Sequence, residues 1–176
     1  MAEDSRQSKP LVGVIMGSDT DLPVMMEAGR TLTSFGIPYE MQVMSAHRTP
    51  ARAHDFASTA AERGLRCIIV GAGGAAHLAG VVAAVTTLPV IGVPLATSAL
   101  NGLDALLATV QMPGGIPVAT MAIDKAGAVN AAIFAAQIIA VGDPAMRQKL
   151  AEHKIKLAQS VAEKNARLQE KLAAEK

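Results

Sequence analysis

Three residues in the stretch MSAHRTP, namely Ser45, His47 and Arg48, could together hold an anion and move a proton. Arginine presents a planar fork of donors that meets a phosphate bidentately. A serine hydroxyl adds another donor. Histidine has the ordinary pKa nearest neutral, so one imidazole can give a proton and take one back. The chain has 4 histidines. His47 and His77 fall in clusters that follow apolar runs, whereas His54, inside a helical stretch, and His153, in the charged tail, read as surface residues.

Two further clusters invite chemistry. Gly17–Asp21, GSDTD, offers hydroxyls and N–H groups at a helix start, which suits an anion. Its two aspartates repel one. Asp21 suits a ribose diol better, because a carboxylate accepts two hydroxyl protons, although helix capping by Asp21 would explain the same loop. Gly71–His77, GAGGAAH, satisfies G-x-G-x-x-A through Gly71, Gly73 and Ala76, formally a dinucleotide fingerprint. That reading requires an acidic residue about 20 positions on to hold a ribose. No Asp or Glu lies between Gly64 and Leu103, and the loop follows the third strand rather than the first. The glycines then mark either close approach of backbone N–H groups to a small ligand or a tight turn. A Ser45–His47 hydrolase pair lacks the G-x-S-x-G elbow. A metal site from His47, His77 and Asp21 lacks any recognised ligand spacing, so neither metal nor cofactor is expected.

The elements that must position these loops alternate. LVGVIM (Leu11–Met16), IPYEMQVM, RCIIVGA, PVIGVPL and IPVATMAI read as strands. Helical stretches run from Asp21 to about Phe35, from Thr49–Pro50 to Gly64, through AAHLAGVVAAVTT, over Gly102–Val110 and through AGAVNAAIFAAQIIAV. Alternation with apolar strands predicts a parallel sheet covered on both faces, a three-layer α/β/α doubly wound fold. Ligands of such sheets bind beyond the carboxyl ends of the strands. All three polar clusters follow strands, so the same edge should gather them. Three segments are expected: an extended or disordered N-terminus over 1–10, an α/β catalytic domain over 11–142 and a helical extension over 143–176. In the last, Met146, Leu150, Leu157, Val161, Leu168 and Leu172 form a narrow apolar stripe on a charged helix. It could lie on the body or cross onto another subunit.

Composition narrows the partners. At 176 residues and 51% hydrophobic content, one compact domain plus an extension is expected. A net charge of +1 with no basic arm gives little attraction for phosphate backbones, and 2% aromatics leaves no stacking platform, which argues against nucleic acid. The N-terminus MAEDSRQSKP lacks the apolar core of a signal peptide, and no run of about 20 apolar residues suggests a membrane span. The single cysteine, Cys67, sits in the apolar run CIIV and reads as an inert buried thiol in a reducing, cytoplasmic setting.

Taken together, MGSDTD, SAHRTP, GAGGAAHLAG, GVP and VQMPGGIPV…AIDKAGA…NAA resemble the family of bacterial N5-carboxyaminoimidazole ribonucleotide mutases of purine synthesis, from about Val12 to Ile139. The resemblance implies a flavodoxin-like sheet and a homo-octamer with sites near subunit contacts. It implies transfer of a carboxylate from the exocyclic nitrogen of an imidazole ribonucleotide to ring carbon C4, without ATP, metal or biotin. By the same resemblance, Ser18, Ser45 and Arg48 bind phosphate and Asp21 holds ribose hydroxyls. His47 transfers the proton, and Gly73, Gly74, Ala75, Ala76, His77 and Leu78 line the base and carboxylate pocket. Asp19, Ala51, Ala79 and Asp124 depart from the family's usual residue types, and none is a side chain assigned to chemistry.

Overall fold

The computed structural model describes residues 9–174; the expectation for the N-terminus falls, over residues 1–8, outside them. Five strands form one sheet: β1 (Val12–Met16), β2 (Tyr39–Val43), β3 (Cys67–Gly73), β4 (Val90–Leu95) and β5 (Ala119–Thr120). Their spatial order is β2-β1-β3-β4-β5 and every pairing is parallel. Parallel neighbours need a crossover, and helices supply it: α1 (Leu22–Phe35), α2 (Pro50–Thr59), α3 (Leu78–Ala83), α4 (Leu103–Val110) and α5 (Asp124–Ala140). A long helix, α6 (Pro144–Ala174), follows.

Strand alternation decides which helix covers which face. A Cβ added at Gly13 of β1 would meet Phe56 of α2, while one added at Gly29 of α1 would meet Tyr39 and Met41 of β2. Gly71 of β3 faces Met25 of α1, and Gly92 of β4 faces Thr109 of α4. The sheet is therefore a middle layer, with α2, α3 and α4 on one face and α1 and the start of α5 on the other. Ile15, Ile68, Val70, Phe56, Leu65 and Val82 share the core on the α2 side. β1 and β4 are buried along their whole length, so their runs are apolar rather than alternating.

Local chemistry sets the element ends. Gly36 takes φ 72°, and its N–H closes α1 onto Leu32 and Thr33, a conformation that favours glycine. Asp143 Oδ1 accepts from the N–H groups of Ala145 and Met146, which starts α6 at Pro144. Three elements are shorter than their apolar runs suggest. β5 has only two residues, α3 only six, and α2 stops at Thr59 before turns that reach Gly64.

The chain separates into two compact units at Ile138/Ile139. The first holds the sheet and every residue to which chemistry is assigned. The second is dominated by α6, where Met146 is buried while Leu157, Val161, Leu168 and Leu172 are exposed. His153, expected at the surface, is half-buried. Among the described residues no helix is long and apolar enough to cross a membrane.

Candidate active site

The site begins where β1 ends. Gly17 N–H donates to Gly71 O of the neighbouring strand at 3.3 Å, and the chain then turns into a 3-10 turn over Asp19–Asp21. Thr20 N–H donates to Ser18 Oγ at 3.3 Å, and Ser18 N–H donates to Asp21 Oδ2 at 3.0 Å. This reciprocal pair is a capping box. Asp21 therefore does not cap α1 through its side chain, as the sequence suggested; its carboxylate turns back over the loop. Asp21 is 5% exposed. Burial pushes its carboxyl above the ordinary range, against the pull of the Ser18 and Gly17 N–H groups, and the Asp19 charge adds a smaller push.

Ser45 builds the second loop. Its Oγ accepts from the N–H groups of His47 at 3.3 Å and Arg48 at 3.1 Å. Its own N–H donates to Thr49 Oγ1 at 2.9 Å, and Thr49 returns bonds to Ser45 O. The turn is thus tied within itself, and the side chains of His47 and Arg48 project outward, exposed. Arg48 reaches across to the first loop and donates to Gly17 O at 3.3 Å.

The third loop leaves β3 through Gly74 at φ 59° and Ala76 at φ 43°. Ala76 N–H donates to Gly73 O at 3.1 Å, which closes the turn. A left-handed alanine is held against its preference, a kind of strain that concentrates at functional sites. The turn brings His77 to His47: Nε2 of His47 and Nδ1 of His77 are 2.8 Å apart, with the rings edge to face at 77°. One nitrogen must donate and the other accept, so the contact ties the proton position of one ring to that of the other.

These loops enclose a cavity of about 300 Å³ at the carboxyl edge of the sheet, where strand order reverses between β1 and β3. Of the residues singled out in the sequence, Asp21, Ser45, His47, Arg48, Gly73, Ala76, His77 and Leu78 line it. Ser18 lines an adjoining depression instead, while Gly74 and Ala75 lie on the third loop without lining that cavity. Thr97 also lines it and carried no signal of its own. Its place two residues beyond β4 could have revealed it, since every strand of a parallel sheet ends at the same edge. Thr97 also explains Gly73, because a Cβ there would strike the Thr97 hydroxyl. Among the described residues no group of three or more His, Cys, Asp or Glu could hold a metal ion.

An imidazole, a guanidinium and a buried carboxylate thus face one small cavity walled in part by glycine and alanine. The sequence pattern of the family described as AIR carboxylase matches residues 11–160. The chain is 55% identical over 170 residues to the N5-carboxyaminoimidazole ribonucleotide mutase of Pyrococcus horikoshii, covering 97% of this chain and 95% of that one. It is 54% identical over 160 residues to the Bacillus subtilis protein of the same name, covering 91% and 99%. Treponema denticola PurE, known from a crystal structure, superposes with a TM-score of 0.80 at 27% identity, covering 90% of this chain and 98% of that one. The chain belongs to the AIR carboxylase family.

Proposed function

We propose that this protein converts N5-carboxyaminoimidazole ribonucleotide to 4-carboxy-5-aminoimidazole ribonucleotide, with His47 as the general acid and base. The observation that carries the reading is the placement of His47 over a cavity shared by Arg48, Asp21 and the Gly73–Leu78 loop. Relatives named for this reaction, at more than half identity over nearly the whole chain, support it.

In the scheme, Ser18, Ser45 and Arg48 grip the phosphate and Asp21 accepts bonds from the ribose hydroxyls. His47 protonates the carbamate nitrogen, and the N–C bond breaks to give carbon dioxide and the aminoimidazole nucleotide. The small groups of Gly73 and Ala76, with His77 and Leu78, retain the carbon dioxide. C4 then attacks it, and the hydrogen on C4 passes as a proton to His47, which ends as it began. No oxidant, metal or nucleotide cofactor enters the balance. Holding two fragments in register accounts for several kcal/mol of the barrier, up to roughly 7–11 in ideal cases. The His47–His77 contact suits the exchange, because the second ring fixes the orientation of the first.

We also expect a homo-octamer working in the cytoplasm. Leu103, Leu107 and Val110 are exposed along one side of α4, with Leu100 exposed just before it, an apolar stripe of the kind a subunit contact covers. Light scattering of the purified protein reads the assembly directly.

The family description favours a second reading, direct carboxylation of the aminoimidazole nucleotide by carbon dioxide. One assay separates the two. The protein is mixed with fresh N5-carboxyaminoimidazole ribonucleotide plus chelator and no ATP, and in parallel with aminoimidazole ribonucleotide plus bicarbonate. Rapid formation of the C4-carboxylated nucleotide in the first sample alone is the expected result. Rapid formation in the second alone assigns the carboxylase, and silence in both leaves a nucleotide-binding protein.

A further inference from the structure

A second depression, of about 440 Å³, adjoins the cavity and shares Gly17, Ser45 and Arg48 with it. Ser18 and Thr49 line it too, and so does Arg52, one helical turn beyond Arg48. We propose that Arg52 is a second cationic arm of the phosphate subsite, aimed by a relay of side chains from Arg63 through Glu40 and Gln42. The proposal rests on the placement of substrate phosphate beside Ser18, Ser45 and Arg48.

The relay starts from a fixed point. Arg63 lies over the Phe56 ring at 4.6 Å, donates to Phe56 O at 3.2 Å and to Thr59 Oγ1 at 3.3 Å, and pairs with Glu40. Glu40 and Gln42 are two residues apart on the edge strand β2, so both face α2. The other oxygen of Glu40 accepts from Gln42 Nε2 at 3.2 Å. A carboxylate can only accept, so this bond sets the amide one way round. Gln42 Oε1 is then left to accept from Arg52 at 3.2 Å.

The chemistry of that last link matters. The charge of Glu40 is taken by Arg63, and Arg52 is oriented by a neutral amide. Among the described residues no carboxylate pairs with Arg52, so it keeps its full charge and most of its five donors. The subsite needs that charge. Asp19 lines the same depression and accepts from Ser18 Oγ at 3.1 Å. Arg48 against Asp19 leaves the rim near neutral, whereas a phosphate monoester carries about −1.5 to −2 at pH 7. Arg52 turns the balance positive without touching the proton chemistry at His47.

The test uses ribose 5-phosphate and ribose as probes in calorimetric titrations, beside steady-state turnover. Arg52→Gln should weaken ribose 5-phosphate about fivefold, the scale of one partly exposed charge-assisted contact, and leave ribose binding unchanged. The same variant should raise KM by that factor with kcat within about twofold, and Arg52→Lys should recover part of the loss. Gln42→Leu, which keeps the arginine and cuts the relay, should move KM the same way by a smaller factor. Ribose 5-phosphate binding by Arg52→Gln equal to wild type would overturn the proposal, as would equal losses for ribose and ribose 5-phosphate. Failure of the mutase reading looks different: wild type would bind ribose 5-phosphate in an Arg52-dependent way yet leave the carboxyamino nucleotide unchanged.

Discussion

Gly71 and Gly73 stand two residues apart on β3 and answer to different constraints. Gly71 lies in the body of the sheet, where the Met25 side chain of α1 occupies the space a Cβ would need. Gly73 lies at the edge, where the Thr97 hydroxyl does so and both residues line the cavity. Around Gly71 the strands are buried and apolar, and what matters is volume. Around Gly73 the chain turns through left-handed backbone, exposes two histidines and buries a carboxylate, and what matters is where polar atoms point. The body gives the edge a rigid base, while the edge accepts strain and desolvation that packing alone would avoid.

Substitutions can separate the two regions. The largest effect is expected at the edge: His47→Asn should fold and bind ribose 5-phosphate normally yet turn over at least about 100-fold slower. Melting curves and single-turnover rates on the same preparation check both halves of that statement. Next comes the body. Gly71→Ala should cost about 1–3 kcal/mol of stability through overpacking against Met25, seen as a lowered urea midpoint, with substrate affinity retained in the folded fraction.

Asp21 should show opposite signs for stability and binding. Its folded-state carboxyl is raised by burial, so the folded protein holds that proton more tightly than the unfolded chain does. Ionised Asp21 therefore costs stability, and the cost grows as pH rises from the ordinary carboxylate value through the raised one. Asp21→Asn should melt at or above the wild-type temperature at pH 7, and the difference should shrink below about pH 4. Its ribose 5-phosphate affinity should fall about tenfold, the value of one charge-assisted bond to a diol. The smallest effect is expected at Cys67, whose thiol burial pushes up to about 12. At pH 8 it should react with a disulfide reagent only as fast as the protein opens, and Cys67→Ala should leave turnover unchanged.

The body was largely legible in the sequence because its signals are local and repeated. Buried parallel strands are short apolar runs, and Gly36 announces the end of α1 by the backbone it alone adopts readily. The polar clusters after β1, β2 and β3 pointed to the cavity at which they meet, since a parallel sheet sends all its carboxyl ends to one edge. Less legible was whatever depends on pairs distant in sequence. Nothing near Thr97 says that it covers Gly73, and Arg52 gains meaning only through Gln42, ten residues earlier on another element. The apolar run around β5 suggested a longer strand, but only Ala119 and Thr120 pair with β4. The 2.8 Å approach of His47 to His77 spans thirty residues, and the turn at Ala76 creates it.

If His47 takes the proton from C4, the fate of that hydrogen reports it. N5-carboxyaminoimidazole ribonucleotide deuterated at C4 is mixed with excess enzyme in ordinary water, and deuterium release to solvent is followed. Wild type should release it in step with formation of the 4-carboxy product, and His47→Asn at less than about one-hundredth of that rate. Release by His47→Asn at the wild-type rate would contradict the account and move the proton transfer to another group in the cavity.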